Sequence, residues 1–174
     1  MIPCQRHLFD IPEDVAYLNT AYMSPLLTSV VSAIESGSRL KANPWKLKIS
    51  NFFDDIEEAR NLFSNLMHTV GTNIAIIPSA SYGVQTAAKN LQISAGSKIL
   101  VLSDQFPSNV YPWRRVAKQK GAEIKTVNVP DGEAATDHII DALDEQVSVC
   151  ATANVLWTNG SSVSYTHLTL PTKA

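Results

Sequence analysis

The chain has 174 residues, 45% hydrophobic and 17% charged, and its 14 basic and 16 acidic side chains leave a formal net charge of −2. That composition excludes an intrinsically disordered chain, and the near-neutral balance argues against a basic nucleic-acid-binding or membrane-surface protein. No apolar run approaches the roughly 20 residues of a bilayer span, and the N-terminus lacks the charged-then-apolar order of a signal peptide. Two cysteines, Cys4 and Cys150, make neither a zinc site nor a disulfide framework; reduced thiols fit a cytoplasmic protein.

In chain order, residues 11–24 read as an extended, turn-rich opening. Val15, Ala16, Tyr17 and Leu18 form a short strand-like run, and residues 19–25 a polar loop feeding a helix. Pro25 in the first turn and Leu26, Val30, Ala33 and Ile34 at helical spacing mark that helix. A second helix is expected over 51–68. Phe52, Phe53, Ile56, Ala59, Phe63, Leu66 and Met67 form its apolar stripe, and Asp54, Asp55, Glu57 and Glu58 sit where the helix dipole favours anions. His68, at its end, reads as a contact to the C-terminal dipole rather than a catalytic group.

From residue 73 strands and helices alternate. Apolar runs at 74–77, 98–102, 123–129 and within 147–157 read as strands, with helices over 81–91, 110–120 and 137–143 between them. Strands separated by single helices imply crossover connections and a largely parallel sheet. The fold class is α/β. Residues 163–172 break this alternation where another helix is expected, and they resemble an in-frame translation of a transposase adapter. Residues 161–174 are therefore set outside the fold, and His167 and Lys173 carry no functional weight. The alternative is a genuine C-terminal strand ended by Pro171.

Seven glycines spell neither G-x-G-x-x-G nor G-x-x-x-x-G-K-[ST], and H-E-x-x-H and G-x-S-x-G are absent. What stands out is Pro78-Ser79-Ala80-Ser81-Tyr82-Gly83, between an expected strand and an expected helix. Small side chains there let backbone N–H groups approach a ligand, and Ser81 adds a hydroxyl at the positive end of the helix dipole. That is a workable phosphate cradle; the plain alternative is an ordinary serine N-cap. Residues 103–114 follow the next strand, at the carboxyl edge where open α/β sheets bind ligands. Phe106, fixed by Pro107, suits stacking on a flat heteroaromatic ring or, alternatively, packing in the core. Asn154, at a third strand end, can hydrogen-bond a ligand oxygen.

Four motifs in order carry a resemblance: Tyr17-Leu18-Asn19-Thr20-Ala21, Ser79-Ala80-Ser81-Tyr82-Gly83, Gln105-Phe106-Pro107-Ser108-Asn109-Val110-Tyr111-Pro112-Trp113 and Leu156-Trp157-Thr158-Asn159-Gly160. Together, over roughly residues 9–160, they resemble the N-terminal half of class V aminotransferase-fold enzymes. These are fold-type-I pyridoxal-phosphate enzymes, including cysteine desulfurases, kynureninases and isopenicillin-N-epimerase-like proteins. The resemblance implies that Ala80 and Ser81 bind the phosphate of pyridoxal 5'-phosphate (PLP) and that Phe106 stacks on its pyridine ring. It further implies that Asn154 lies near the phenolic oxygen and that Asn19, Ala21 and Tyr22 border the substrate pocket. Phe106 departs from the histidine usual in desulfurases and agrees with kynureninase-like members.

In that family the aspartate that pairs with the pyridine nitrogen and the Schiff-base lysine lie beyond the point where this chain ends. Lys41, Lys46, Lys48, Lys89, Lys98, Lys118, Lys120 and Lys125 read as solvated surface lysines, and no catalytic residue or metal ligand is assigned. The expected organisation is an N-terminal segment over 1–70 contributing to a small domain, the first part of a PLP-binding large domain over 71–160, and a non-native tail over 161–174. The expected function is that of an inactive N-terminal fragment of a PLP enzyme acting on an amino-acid substrate. Its parent would transaminate, epimerise or cleave a side chain, as a cytoplasmic homodimer without nucleic-acid or membrane partners. The alternatives are a non-catalytic α/β anion-binding module, a cysteine desulfurase-like enzyme and a flavodoxin-like phosphate-binding domain.

Overall fold

A computed structural model describes residues 3–20 and 22–164. The chain divides into two compact units, residues 1–76 and 77–174. No helix among the described residues is long and apolar enough to cross a membrane.

In the first unit, helix α1 (Thr28–Lys41) starts three residues beyond Pro25. Leu27, extended and bridged antiparallel to Phe9, sets that boundary, so the helix begins only after the bridge. Residues 15–18 form no strand; the Arg6 guanidinium instead gathers the carbonyls of Pro12 and Val15. Helix α2 (Asp54–Leu66) is preceded by a separate 3-10 turn over Ile49–Phe52, so the expected single helix is two elements. Its acidic first turn holds Asp54, Asp55 and Glu57 as the dipole favours. The expected apolar stripe is not a core: Phe52, Phe53, Ile56, Phe63, Leu66 and Met67 are all at least half exposed. Helical periodicity reports which side is apolar, not whether anything covers it. Arg60 ties α2 to the turn that follows, donating from Nε to the Ile74 carbonyl at 2.9 Å and from Nη2 to Gly71 at 3.0 Å. His68 takes the left-handed conformation past the helix end (φ 51°), a place more often filled by glycine.

The second unit holds helix α3 (Ala80–Asn90), then β1 (Lys98–Leu102), α4 (Tyr111–Lys120), β2 (Glu123–Val127), α5 (Ala135–Ala142) and β3 (Val147–Ala151). The three strands form a parallel sheet in the order β2-β1-β3. Pairing of β1 with β2 runs from Lys98–Glu123 to Leu102–Val127 without a break. The central strand reads Ile-Leu-Val-Leu because both of its faces are covered. Ile99 and Val101 pack with Ala88, Trp113, Val116 and Ala117 from α3 and α4. Leu100 and Leu102 pack with Val127, Ala135, Ile139 and Leu156 on the other face. Gly121 ends α4 in the left-handed conformation (φ 71°), which a side chain would strain.

Three expectations change here. Residues 74–77 are not a strand, and Ile76 and Ile77 are exposed, because an apolar run becomes a strand only with a ladder partner. The fold also continues past residue 160. Val155 bridges antiparallel to Ser162, and the Val163 N–H donates to the Asn154 carbonyl at 2.9 Å. Val163 is buried in the Leu100–Ile139 cluster. Residues 165–174, with His167, Pro171 and Lys173, lie outside the described residues.

Finally, Lys98 and Lys125 are not freely solvated. Both donate to Asp144 Oδ2, at 3.1 and 3.0 Å, and Lys125 also donates to the Ala142 carbonyl at 2.6 Å. The hydrogen bonds from Lys125 and then Lys98 pull the Asp144 carboxyl from its ordinary 3.8 down to about 2. Because the folded carboxyl titrates below the unfolded one, its stabilisation is complete above 3.8 and is lost as pH falls through about 2. Asp144→Asn is therefore expected to lower the thermal midpoint at neutral pH, with the gap from the parent closing across that acid window. Melts followed by circular dichroism check this; a gap constant with pH would assign the loss to something other than the carboxylate.

Candidate active site

The site is assembled at the carboxyl edge of the sheet and at the start of α3. Ser79, not Ser81, caps α3: its hydroxyl accepts from the Tyr82 N–H at 3.2 Å and its carbonyl from the Gly83 N–H at 3.2 Å. The N–H groups of Ala80 and Ser81 fall in the first turn, where the helix offers no carbonyl to receive them. Ser81 is exposed, and its hydroxyl makes no hydrogen bond among the described residues. Two N–H groups and a hydroxyl at a helix N-terminus are the donor set that a phosphate oxygen cluster requires. Ser81 opens on a groove of about 560 Å³ that it shares with Tyr82, Gln85, Pro107, Ser108 and Arg115. The loop after β1 therefore meets the start of α3 across one groove.

Phe106 is 41% exposed and sits between β1 and a 3-10 turn over Pro107–Asn109, so it is not a core residue. Its ring meets Trp157 edge-on, with centroids 5.5 Å apart and an interplanar angle of 85°. The Trp157 indole N–H donates to the Asp104 carbonyl at 2.7 Å, and Asp104 is left-handed (φ 55°), so the loop turns sharply just before Phe106. Asn154 is exposed, and its backbone carbonyl rather than its amide is engaged in the pairing with Val163. Asn19 and Tyr22 belong to the first unit, in a turn where the Asn19 carbonyl accepts from Tyr22 and Met23 at 3.3 and 3.0 Å. Ala21 lies outside the described residues. No group of His, Cys, Asp and Glu among the described residues is arranged to hold a metal ion.

Four residues beside the expected set shape this edge: Gln105, Asn109, Trp113 and Trp157. Trp113 lies on the first turn of α4 and Asn109 two residues before that helix, at the end of the 3-10 turn, so their four-residue spacing is a weaker signal of contact than on one continuous helix. Gln105 carried no such signal, since a glutamine at a strand end is ordinarily solvated.

A helix N-terminus beside the carboxyl edge of a parallel sheet defines an α/β protein of the kind that binds phosphorylated ligands. The Aminotransferase class-V family model matches residues 16–167, and the chain belongs to that family. A probable cysteine desulfurase of Staphylococcus epidermidis is 32% identical over 95 residues, which is 53% of this chain and 22% of that protein. Isopenicillin N epimerase of Streptomyces clavuligerus is 25% identical over 118 residues, 67% of this chain and 30% of the epimerase. Among solved structures, a mutant of C-DES with glycine covalently linked to its PLP cofactor superposes with a TM-score of 0.79 at 18% identity, over 95% of this chain and 44% of that one. The cysteine desulfurase CsdA from Escherichia coli gives 0.73 at 18% identity, over 93% and 43%. The chain thus spans less than half the length of these relatives. Pyridoxal 5'-phosphate is the cofactor this membership indicates.

Proposed function

We propose that this chain supplies the phosphate- and ring-binding part of a PLP-dependent enzyme acting on an amino-acid substrate. The observation that carries the reading is the start of α3, where the Ala80 and Ser81 N–H groups and the Ser81 hydroxyl have no acceptor among the described residues and lie beside an open groove. When bound, the cofactor supplies an electron sink for cleavage of a bond at the substrate α-carbon. The chain's own part is to bind and orient. Ala80 and Ser81 hold the phosphate, Phe106 sets the plane of the ring, and Asn154 donates to the phenolic oxygen. Asn19, Ala21 and Tyr22 border the substrate. Transamination, epimerisation and side-chain cleavage are the reactions in question for the whole protein, as a cytoplasmic homodimer. The split into a small-domain segment over 1–70, a large-domain part over 71–160 and a non-native tail over 161–174 belongs to the same reading.

A cysteine desulfurase-like activity is the second reading, favoured by the 32% identity to the staphylococcal relative and opposed by Phe106 at the ring position. Titration with PLP, followed by fluorescence and competed with inorganic phosphate, tests the cofactor site. Phe106→Ala is expected to weaken binding by about 0.5–1.5 kcal/mol beyond the loss of buried area, and Phe106→His to retain it. Normal PLP affinity with reduced thermal stability in Phe106→Ala would assign the ring to packing against Trp157.

A further inference from the structure

We propose that Asn109 is a positioning residue for the Phe106 face of the site, through an amide relay whose direction Trp113 fixes; this rests on the cofactor reading above. An indole N–H can only donate. That of Trp113 donates to Asn109 Oδ1 at 3.2 Å, which decides the end of the amide carrying nitrogen. Asn109 Nδ2 then faces Gln105 Oε1 at 3.1 Å and the Ala151 carbonyl at 3.4 Å. Gln105 is oriented in turn. It is only 8% exposed, and its Nε2 is buried without a hydrogen-bond partner, so Asn109 is the one side chain to which the Gln105 amide is bonded among the described residues.

Three elements therefore converge on Asn109: α4 through Trp113, the end of β3 through Ala151, and the loop after β1 through Gln105. The Asn109 backbone N–H also donates to the Phe106 carbonyl at 2.8 Å. Phe106 is thus held from both sides in sequence, by Gln105 before it and by the turn to Asn109 after it. The ring itself is presented edge-on to Trp157. Asn109 acts on a ligand only through Phe106. Its amide serves the three anchors at once, which neither a hydrocarbon nor a carboxylate side chain of similar size reproduces.

The test reads the ring pair and the cofactor separately, using the chain itself. Nuclear Overhauser contacts between the Phe106 ring and the Trp157 indole report the pose, titration with PLP reports the site, and thermal melts control for folding. Asn109→Ala is expected to lose the ring contacts and to weaken PLP binding roughly fivefold. Asn109→Asp keeps the acceptor for Trp113 but withdraws the N–H groups from Gln105 and Ala151. It is expected to stay folded, with the Trp113 indole resonance in place, and to lose the same ring contacts. Should Asn109→Ala fail to fold, Asn109→Asp decides. Ring contacts intact in the folded variants, or lost with an unchanged PLP dissociation constant, would overturn the proposal. A parent chain that does not bind PLP overturns the cofactor reading, and the ring contacts alone then decide whether Asn109 sets the pose.

Discussion

Ser81→Ala is expected to weaken PLP binding by about 1.5–3 kcal/mol, a loss of roughly tenfold to more than a hundredfold in affinity. The substitution removes one hydrogen bond to a charged group and nothing else. Ser79 still caps α3 through its hydroxyl and carbonyl, so the helix keeps its start and the thermal midpoint should barely move. That separation makes the variant informative. Isothermal titration with PLP and with inorganic phosphate should show the same loss for both ligands, since the change is to the phosphate subsite. A dissociation constant equal to the parent's would leave the Ser81 hydroxyl as a surface group, and an equal loss of folding stability would return it to a structural role.

Leu100→Ala is expected to destabilise the second unit by about 2–5 kcal/mol, a large share of the stability of a domain this size. Leu100 is fully buried on the central strand and packs with Leu102, Val127, Ala135, Ile139, Leu156 and Val163. Its neighbours come from two strands, α5 and the closing turn, so no single element can collapse into the vacated space. The cavity term then adds to the transfer term. Urea unfolding followed by fluorescence of the buried Trp113 measures the change; a shift below about 1 kcal/mol would mean that the cluster relaxes.

The alternating part of the chain was legible because its signals are local. The Lys98–Leu102 run stands between turn residues and helix-period segments, so the alternation itself marked it as a strand, and Gly121 marks the end of α4 by its conformation. The first unit was less legible. Residues 15–18 and 74–77 have the composition of strands, but strand formation depends on a distant partner that composition does not encode. The α2 stripe was legible as apolar, but its exposure was not, for the same reason. At the site, the small-residue turn was visible, yet that Ser79 rather than Ser81 caps the helix was not. Two serines two apart offer the same chemistry until the helix start is known. Asn154 shows the opposite case, a residue singled out for its amide whose backbone carbonyl is what the structure engages.

The sheet order β2-β1-β3 also bears on how the second unit assembles in time. Strand β1 makes both ladders, so neither neighbour pairs without it. Joining β1 directly to β3 closes residues 103–146, about twice the span closed by joining β1 to β2. If β2 docks first, carrying α4 with it, β3 needs only to close residues 128–146 from an end already fixed. Each step then closes a short loop, and the dearer closure, about 0.6 kcal/mol more per doubling of length, is never met at once. A chain emerging from N- to C-terminus meets its strands in that order, so synthesis and the cheapest route of loop closure coincide.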